Sequence, residues 1–178
     1  MRVDVRMLYD ITITQFTKTL QNLSLCLDKA AAFADAKKFE PQVLLGSRLA
    51  PDQFALLRQI QIACDTAKTG ASRLTGKEAP AHADDEKTVA DAKARIDKVI
   101  AYLATFSAKD FAGAEQRHVS QPRWAGKYLT GYEFALQHMI PNFFFHVTTA
   151  YAILRHNGVE LGKKDYLGPM PYKDPEAK

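Results

Sequence analysis

The sequence has few cysteines and lacks the short motifs that mark common catalytic sites. Its 178 residues include 2 cysteines, Cys26 and Cys64, which form no CxxC pair. This argues against a disulfide framework and against a cysteine zinc cluster. A glycine-rich phosphate loop, G-x-S-x-G and H-E-x-x-H are all absent, so no known nucleophile or metalloprotease motif is present. We therefore expect no cofactor.

The sequence also lacks a concentrated charge of one sign. It has 24 Lys and Arg against 20 Asp and Glu, for a net charge of +4 and a pI near 9.0. The lysines are spread over predicted solvated faces, for example Lys87, Lys93 and Lys98, and no basic block alternates with aromatic residues. This pattern does not favour nucleic-acid binding.

No segment has the composition of a membrane span. Phe134 to Leu154 contains no charged residue, but it contains Asn142 and His146 among several polar side chains, which would lack partners in lipid. The N-terminal stretch MRVDVRMLYDITITQ has scattered charges and no apolar block of the secretory type. We expect a cytoplasmic protein with no membrane association.

Hydrophobic periodicity is the strongest signal that is present. Apolar residues recur at steps of three and four in four segments, whereas no segment alternates as a strand does. The four predicted helices span approximately Thr12–Lys37, Pro51–Gly76, Asp84–Thr105 and Thr130–Arg155. They predict an all-α, antiparallel four-helix bundle that forms one domain over residues 1–168, followed by a flexible tail at residues 169–178.

Local signals predict where these helices begin. Thr12 with Gln15 and Thr130 with Glu133 have capping-box spacing, and Pro51 suits a first helical position. The aspartates of KEAPAHADDEK are predicted to cap the third helix. Ahead of the last helix, VSQPRWAGKYLT predicts an irregular excursion or a short hairpin around Trp124-Ala125-Gly126-Lys127.

A row of polar side chains crosses the last predicted helix in QHMIPNFFFHVTTAYAILRHNG. His138, Asn142 and His146 are spaced four apart and drift slowly across one helix face. Gln61 and Asp65 have the same spacing on the second helix and are expected to look toward this row. His138 and His146 lie about 12 Å apart along a straight helix, too far to share one ion. Pro141 is expected to kink the helix.

The polar row has three interpretations. His146 and Asn142 are satisfied core groups bonded to Gln61, Asp65 or tyrosines. Alternatively, Phe143 to Phe145 line a metal-free cavity into which His146 converges, with charge from Arg58, Asp65 or Arg48 at the rim. In the third interpretation His146 holds a metal together with unforeseen ligands. Cys64 lies in an apolar stripe beside Asp65, which makes it a poor nucleophile.

Three stretches resemble a known family: LYDITITQFTKTLQNLSLCLDKA, LLGSRLAPDQFALLRQIQIACDTAK and PNFFFHVTTAYAILRHNGVELGKKDYLG. They are similar to an uncharacterised bacterial family of unknown function that is grouped with the DinB/YfiT-like helical bundles. The resemblance implies an up-down-down-up four-helix bundle that is often a homodimer.

In metal-binding DinB-like proteins, three histidines hold a divalent ion. The resemblance places their counterparts at Gln61, Asn142 and His146, of which only His146 is a histidine. We therefore predict a small unknown ligand between helices 2 and 4, bound by Gln61, Asp65, Asn142, His146 and Arg58, with no metal expected; if one is bound, His146 is its ligand. The alternatives are a divalent-metal-dependent hydrolase or thiol transferase, and a ligand-free structural or stress-related homodimer.

Overall fold

The structure, a computed structural model, describes residues 5–175. Residues 1–4 of the predicted domain and residues 176–178 of the predicted tail lie outside the described residues. The described chain is mostly helical, as predicted. Its α-helices are α1 (Val5–Tyr9), α2 (Gln15–Lys37), α3 (Leu56–Thr75), α4 (Val89–Leu103), α5 (Gly131–Phe134), α6 (Ile140–His156) and α7 (Lys163–Leu167), and its strands are β1 (His118–Ser120) and β2 (Tyr128–Thr130). Within residues 5–175, no helix is long and apolar enough to cross a membrane.

The four long helices contact one another in a ring. Helix α3 packs against both α4 and α6, and α2 closes the ring by contacting the same two helices. The predicted apolar stripes supply the core, and Leu20, Ile60, Ile96 and Phe143 are all fully buried. Each such side chain contributes about 1.5–3 kcal/mol through its removal from water. Helix α3 therefore has two packed sides, one toward α4 and one toward α6.

The first helix begins earlier than predicted. Helix α1 and a π-helical segment, Asp10–Thr14, lead directly into α2. Thr12 lies inside this continuous helix, where its hydroxyl donates to the carbonyl of Leu8 at 2.6 Å. The predicted capping box of Thr12 and Gln15 is therefore wrong, because a threonine within a helix bonds back to the preceding turn instead.

Helices α3 and α4 begin later than predicted. Residues 51–55 precede the helix as a turn, which is stabilised by a hydrogen bond from Gln59 Nε2 to the carbonyl of Phe54. The side chain of Phe54 is exposed and does not belong to the core. Helix α4 is capped by Thr88 and Asp91, which form a complete capping box. The preceding aspartates do not cap it, and Asp84 pairs with two arginines instead.

The excursion before the last helix is a β-hairpin, as predicted. Strands β1 and β2 pair antiparallel with Val119 opposite Leu129. The chain reverses through Ala125 and Gly126, both with positive φ. The capping box predicted at Thr130 and Glu133 is also confirmed and opens α5.

A π-helical segment, Ala135–Met139, joins α5 to α6. Pro141 stands at the second position of α6, where the hydrogen bonding returns to the α pattern. Since proline has no N–H to donate, it is tolerated most easily where that pattern changes. Met139 packs directly against Gly70, where a Cβ atom would collide with the Met139 side chain. The absence of a side chain at Gly70 thus lets the π-helical segment lie close to α3.

The region after α6 contains a short helix that the sequence did not predict. Helix α7 contacts α2, and Asn22 Nδ2 donates to the carbonyl of Tyr166 at 3.0 Å. Residues 169–175 form no helix or strand and are exposed. Lys18 Nζ approaches Met170 Sδ at 3.5 Å, so this stretch passes beside α2.

Candidate functional site

A cleft of about 310 Å³ lies between α3 and the last helix, and we call it the α3–α6 cleft. It combines apolar and polar side chains from three parts of the chain, as small-molecule sites do. Its lining consists of Phe54, Ile62, Asp65, Thr66, Thr69 and Arg73 from α3 and the turn before it, Gln121 and Arg123 from the hairpin loop, and Phe134, His138, Asn142 and His146 from α5 to α6.

Two neutral hydrogen bonds connect α3 to α6 at the cleft. His146 Nδ1 donates to Gln59 Oε1 at 2.6 Å, and Asn142 Nδ2 donates to Thr66 Oγ1 at 2.7 Å. Gln59 and Thr66 lie seven positions apart and therefore share one face of α3, whereas Gln61 is rotated from Gln59 by about 200°. The predicted partners of His146 and Asn142, namely Gln61, Asp65 or tyrosines, are thus wrong.

His146 is neutral near pH 7. Burial lowers the pKa of its imidazole, and the positive charge of Arg58 lowers it further. Because Nδ1 carries the proton that is donated to Gln59, Nε2 carries a lone pair. His146 can therefore accept a hydrogen bond, or a proton, from a molecule in the cleft.

The structure brings some of the predicted site residues together and separates others. Asp65, Asn142 and His146 all line the cleft. Arg58 and Gln61 lie outside its lining, on the side of α3 that faces the segment before α4. There Arg58 pairs with Asp84 at 2.5 Å, and Gln61 Nε2 donates to Glu86 at 2.8 Å. The structure thus moves these two residues from the predicted pocket to the interface with α4.

A group of charges that we call the Arg95 cluster occupies this interface. It consists of Arg95, Asp65, Lys68, Asp84 and Glu86. The Arg95 guanidinium is buried and contacts Asp65 at 2.9 Å, Asp84 at 3.0 Å and Glu86 at 2.9 Å. Lys68 Nζ lies 3.2 Å from Asp65. The carboxylate of Asp65 is therefore neutralised by two cations, although its side chain also lines the α3–α6 cleft.

Burial and ion pairing have opposite effects on the ionisation of the groups in this cluster. Burial opposes the ionisation of Glu86, but hydrogen bonds from Arg95 and Gln61 outweigh it and lower the pKa of the carboxyl group. Burial likewise opposes the charge on Arg95, yet Glu86 and Asp65 outweigh it and raise the pKa of the guanidinium. Both groups are therefore charged at neutral pH.

Three basic residues of the cleft were not among the predicted site residues. Arg123 donates to His138 Nε2 at 2.9 Å, and Arg73 donates to Thr69 Oγ1 at 3.3 Å. His138 stacks on Phe134, with ring centroids 5.4 Å apart. Burial, Arg123 and Arg73 all lower the pKa of His138, and burial together with Arg123 lowers the pKa of Arg73.

The spacing of residues in the sequence identifies the face of α3 that lines the cleft. A second stripe at steps of three and four runs beside the apolar one and consists of Gln59, Ile62, Thr66, Thr69 and Arg73. No comparable signal identifies Arg123, because its position in the cleft depends on how the hairpin folds back.

The three consecutive phenylalanines do not line the cleft. Phe143 is fully buried and stacks on Phe16 with centroids 3.9 Å apart, and Phe144 meets Phe16 edge-on. Phe145 is 55% exposed. The predicted cavity lined by Phe143 to Phe145 is therefore wrong, since consecutive residues of a helix point in different directions. The apolar part of the cleft comes from Phe54, Ile62 and Phe134 instead.

The two cysteines have no reactive environment. Burial raises the pKa of Cys64 to about 12 and that of Cys26 to about 11, and Asp65 and Asp165 respectively contribute to the rise. Both thiols are protonated at neutral pH, as predicted for Cys64, and a protonated thiol is a poor nucleophile.

The residues present do not fit a divalent metal ion. Across residues 5–175, no three His, Cys, Asp or Glu side chains converge as a metal site requires. Of the three positions that the DinB resemblance implies, Gln61 is bonded to Glu86, Asn142 donates to Thr66, and only His146 supplies a ring nitrogen. The expectation that the protein binds no metal stays a prediction.

A larger depression of about 740 Å³ lies between the end of α2 and the segment after α6. Its lining includes Lys29, Phe33, Gly158 and Glu160. Lys29 pairs with Asp165 at 2.7 Å, and the remaining walls are largely apolar. The α3–α6 cleft is the better candidate because polar groups from three parts of the chain converge in it.

Comparisons with known proteins identify the family of this chain. The model of a family described as a domain of unknown function, DUF1993, matches residues 8–167. The crystal structure of a DinB family member protein from Shewanella denitrificans is 62% identical in sequence, with 96% of this chain and 97% of that chain covered and a TM-score of 0.94. No curated protein matches the chain. The chain belongs to the DUF1993 family and is a DinB-like protein of that uncharacterised group.

Proposed function

We propose that the protein binds a small, partly apolar molecule in the α3–α6 cleft without a complete metal triad. The proposed binding domain is a single antiparallel four-helix bundle. The observation that carries the proposal is the convergence of Asp65, Asn142 and His146 on a cleft that also has aromatic walls.

The chemistry of the cleft supports a binding role. His146 offers a lone pair at Nε2 and is oriented by its bond to Gln59. Asn142 is oriented in the same way by Thr66. Side chains held by neighbouring groups lose little freedom when a ligand binds, which favours affinity.

Nuclear magnetic resonance of the labelled protein tests this proposal with a library of small neutral aromatic and aliphatic fragments. We expect shift changes centred on Thr66, Asn142 and His146. The variant Ile62→Trp fills the cleft and is expected to abolish them, whereas Leu25→Trp adds the same side chain at an exposed position of α2 and is the matched control. A library that shifts none of these residues would instead favour the ligand-free structural protein.

We also propose that the chain assembles as a homodimer through the last helical segment. Leu136 and Phe145 are 49% and 55% exposed there, and aromatic side chains are enriched in the buried centre of protein interfaces. In analytical ultracentrifugation we expect a dimer that Phe145→Lys weakens and Leu25→Lys does not. A wild-type monomer at every concentration would refute the assembly.

A further inference from the structure

Arg73 and Arg123 both line the α3–α6 cleft, and neither of them pairs with a carboxylate of the described residues. Within residues 5–175, neither guanidinium forms an ion pair with Asp or Glu. Their hydrogen bonds go to the neutral groups Thr69 and His138. Asp65, the carboxylate in the lining, is already taken by Arg95 and Lys68. This end of the cleft therefore carries an uncompensated positive charge.

Two further donors in the same wall lack acceptors. Arginine only donates, so Arg123 makes His138 Nε2 an acceptor and leaves the proton on Nδ1. His138 Nδ1 is buried and has no hydrogen-bond partner among the described residues, and the same is true of Gln121 Nε2. Buried donors without acceptors are rare in native proteins, so their presence at one cleft calls for an explanation.

We propose that the ligand of the α3–α6 cleft is an organic anion, either a carboxylate or a phosphate monoester, whose charged group binds at Arg73 and Arg123. This inference rests on the proposed function and names its ligand class. The planar guanidinium groups match the paired oxygens of either anion. Phe134 and Ile62 line the same cleft and accommodate the apolar body of the ligand.

The remaining polar groups fit the same ligand. The buried donors of His138 and Gln121 lie in the same lining as the two guanidinium groups, so they add to the excess of donors at this end of the cleft. His146 lies in α6, about two turns beyond His138, and its Nε2 lone pair suits a hydroxyl or N–H on the body of the ligand. The cleft is thus cationic at one end and neutral at the other.

Calorimetric titration with benzoate, phenyl phosphate and benzamide tests the inference. Benzamide is the neutral match of benzoate, and comparison of the two anions decides between a carboxylate and a phosphate. At low salt we expect the better anion to bind about tenfold more tightly than benzamide, the order expected for one charge-assisted contact. Arg123→Gln is expected to reduce this preference, because only Arg73 then remains, and Arg155→Gln, which removes an exposed arginine of α6, is expected to retain it in full.

Equal affinity of the wild type for benzamide and both anions would overturn the inference and leave the proposed function standing. A preference that is undiminished in Arg123→Gln would overturn it as well. If all three compounds fail to bind, the inference fails, and together with a silent fragment library the proposed function fails too.

Discussion

On the side of α3 that packs against α4, Arg95 is surrounded by three carboxylates, whereas on the side that packs against α6, Arg73 and Arg123 have none. Ion pairs such as that between Asp65 and Arg95 connect α3 to α4. Neutral hydrogen bonds such as that between His146 and Gln59 connect α3 to α6. Both sides are polar, but the arginine of the structural interface has carboxylate partners, whereas the two arginines of the candidate binding site do not.

The largest effect on stability is expected from the removal of Arg95. In Arg95→Met the carboxylates of Asp65, Asp84 and Glu86 lose their common cation, so we expect the free energy of unfolding to fall by about 3 kcal/mol. Urea unfolding measures the loss. The matched control, Arg155→Met, removes an exposed arginine and is expected to change stability by less than about 0.5 kcal/mol.

A smaller effect is expected on the neutral side. His146→Leu leaves Gln59 Oε1 buried without a donor, at a cost of about 1–3 kcal/mol. The double variant Gln59→Leu/His146→Leu removes the acceptor together with its donor but also removes the bond from Gln59 Nε2 to the Phe54 carbonyl, so we expect its loss to be smaller than the sum of the two single losses. Urea unfolding of the wild type, the two single variants and the double variant gives a double-mutant cycle. Additive losses in that cycle would contradict the hydrogen bond between His146 and Gln59.

The dependence of stability on pH separates the histidines from the carboxylates. The folded-state pKa values of His146 and His138 at the cleft, and of His82 near Arg95, are lowered, so below about pH 6.5 the unfolded chain takes up protons first and stability falls. The folded-state pKa values of Asp84 and Glu86 are also lowered, mainly by Arg58 and Arg95 against the effect of burial. Their contribution is lost only at lower pH, below the ordinary values of 3.8 and 4.5.

We therefore expect two successive losses of stability on acidification, which urea unfolding between pH 8 and pH 3 resolves. His146→Leu is expected to reduce the first loss and to leave the second unchanged. A constant free energy of unfolding between pH 7 and pH 5 would contradict the assignment of the first loss to these histidines.

The smallest expected effect comes from Arg123. Arg123→Gln removes a cation that repels Arg73 but also removes the bond to His138, so we expect stability to change by less than about 0.5 kcal/mol. Arg95→Met is the matched variant, because an arginine is removed from the opposite side of α3. A loss as large as that of Arg95→Met would show that Arg123 is structural.

Local signals in the sequence predicted much of the fold. The apolar stripes, the capping box at Thr130 and the hairpin around Trp124 depend on residues close in sequence, and all were found. The start of α3 was misplaced because Pro51 suits a turn as well as a first helical position. Helix α7 was missed because its position depends on contacts with α2, which no local pattern records.

The candidate site was predicted only in part, for a similar reason. Asn142 and His146 were identified because four-residue spacing fixes their common face. Their partners were misassigned, since choosing Gln59 over Gln61 requires the rotation of α3 relative to α6. Arg123 was missed because only the three-dimensional path of the hairpin loop brings it to the cleft.

The wide turn at Ala135–Met139 has a further consequence for how this site can vary. A π turn contains one residue more than an α turn, and one residue corresponds to about 100° of rotation. The wider turn absorbs the extra residue, so the side chains before and after it keep the directions that they would have in an uninterrupted α-helix. Deleting one residue there would therefore restore an α turn and leave the wall that carries Phe134 aligned with the segment that carries Asn142 and His146.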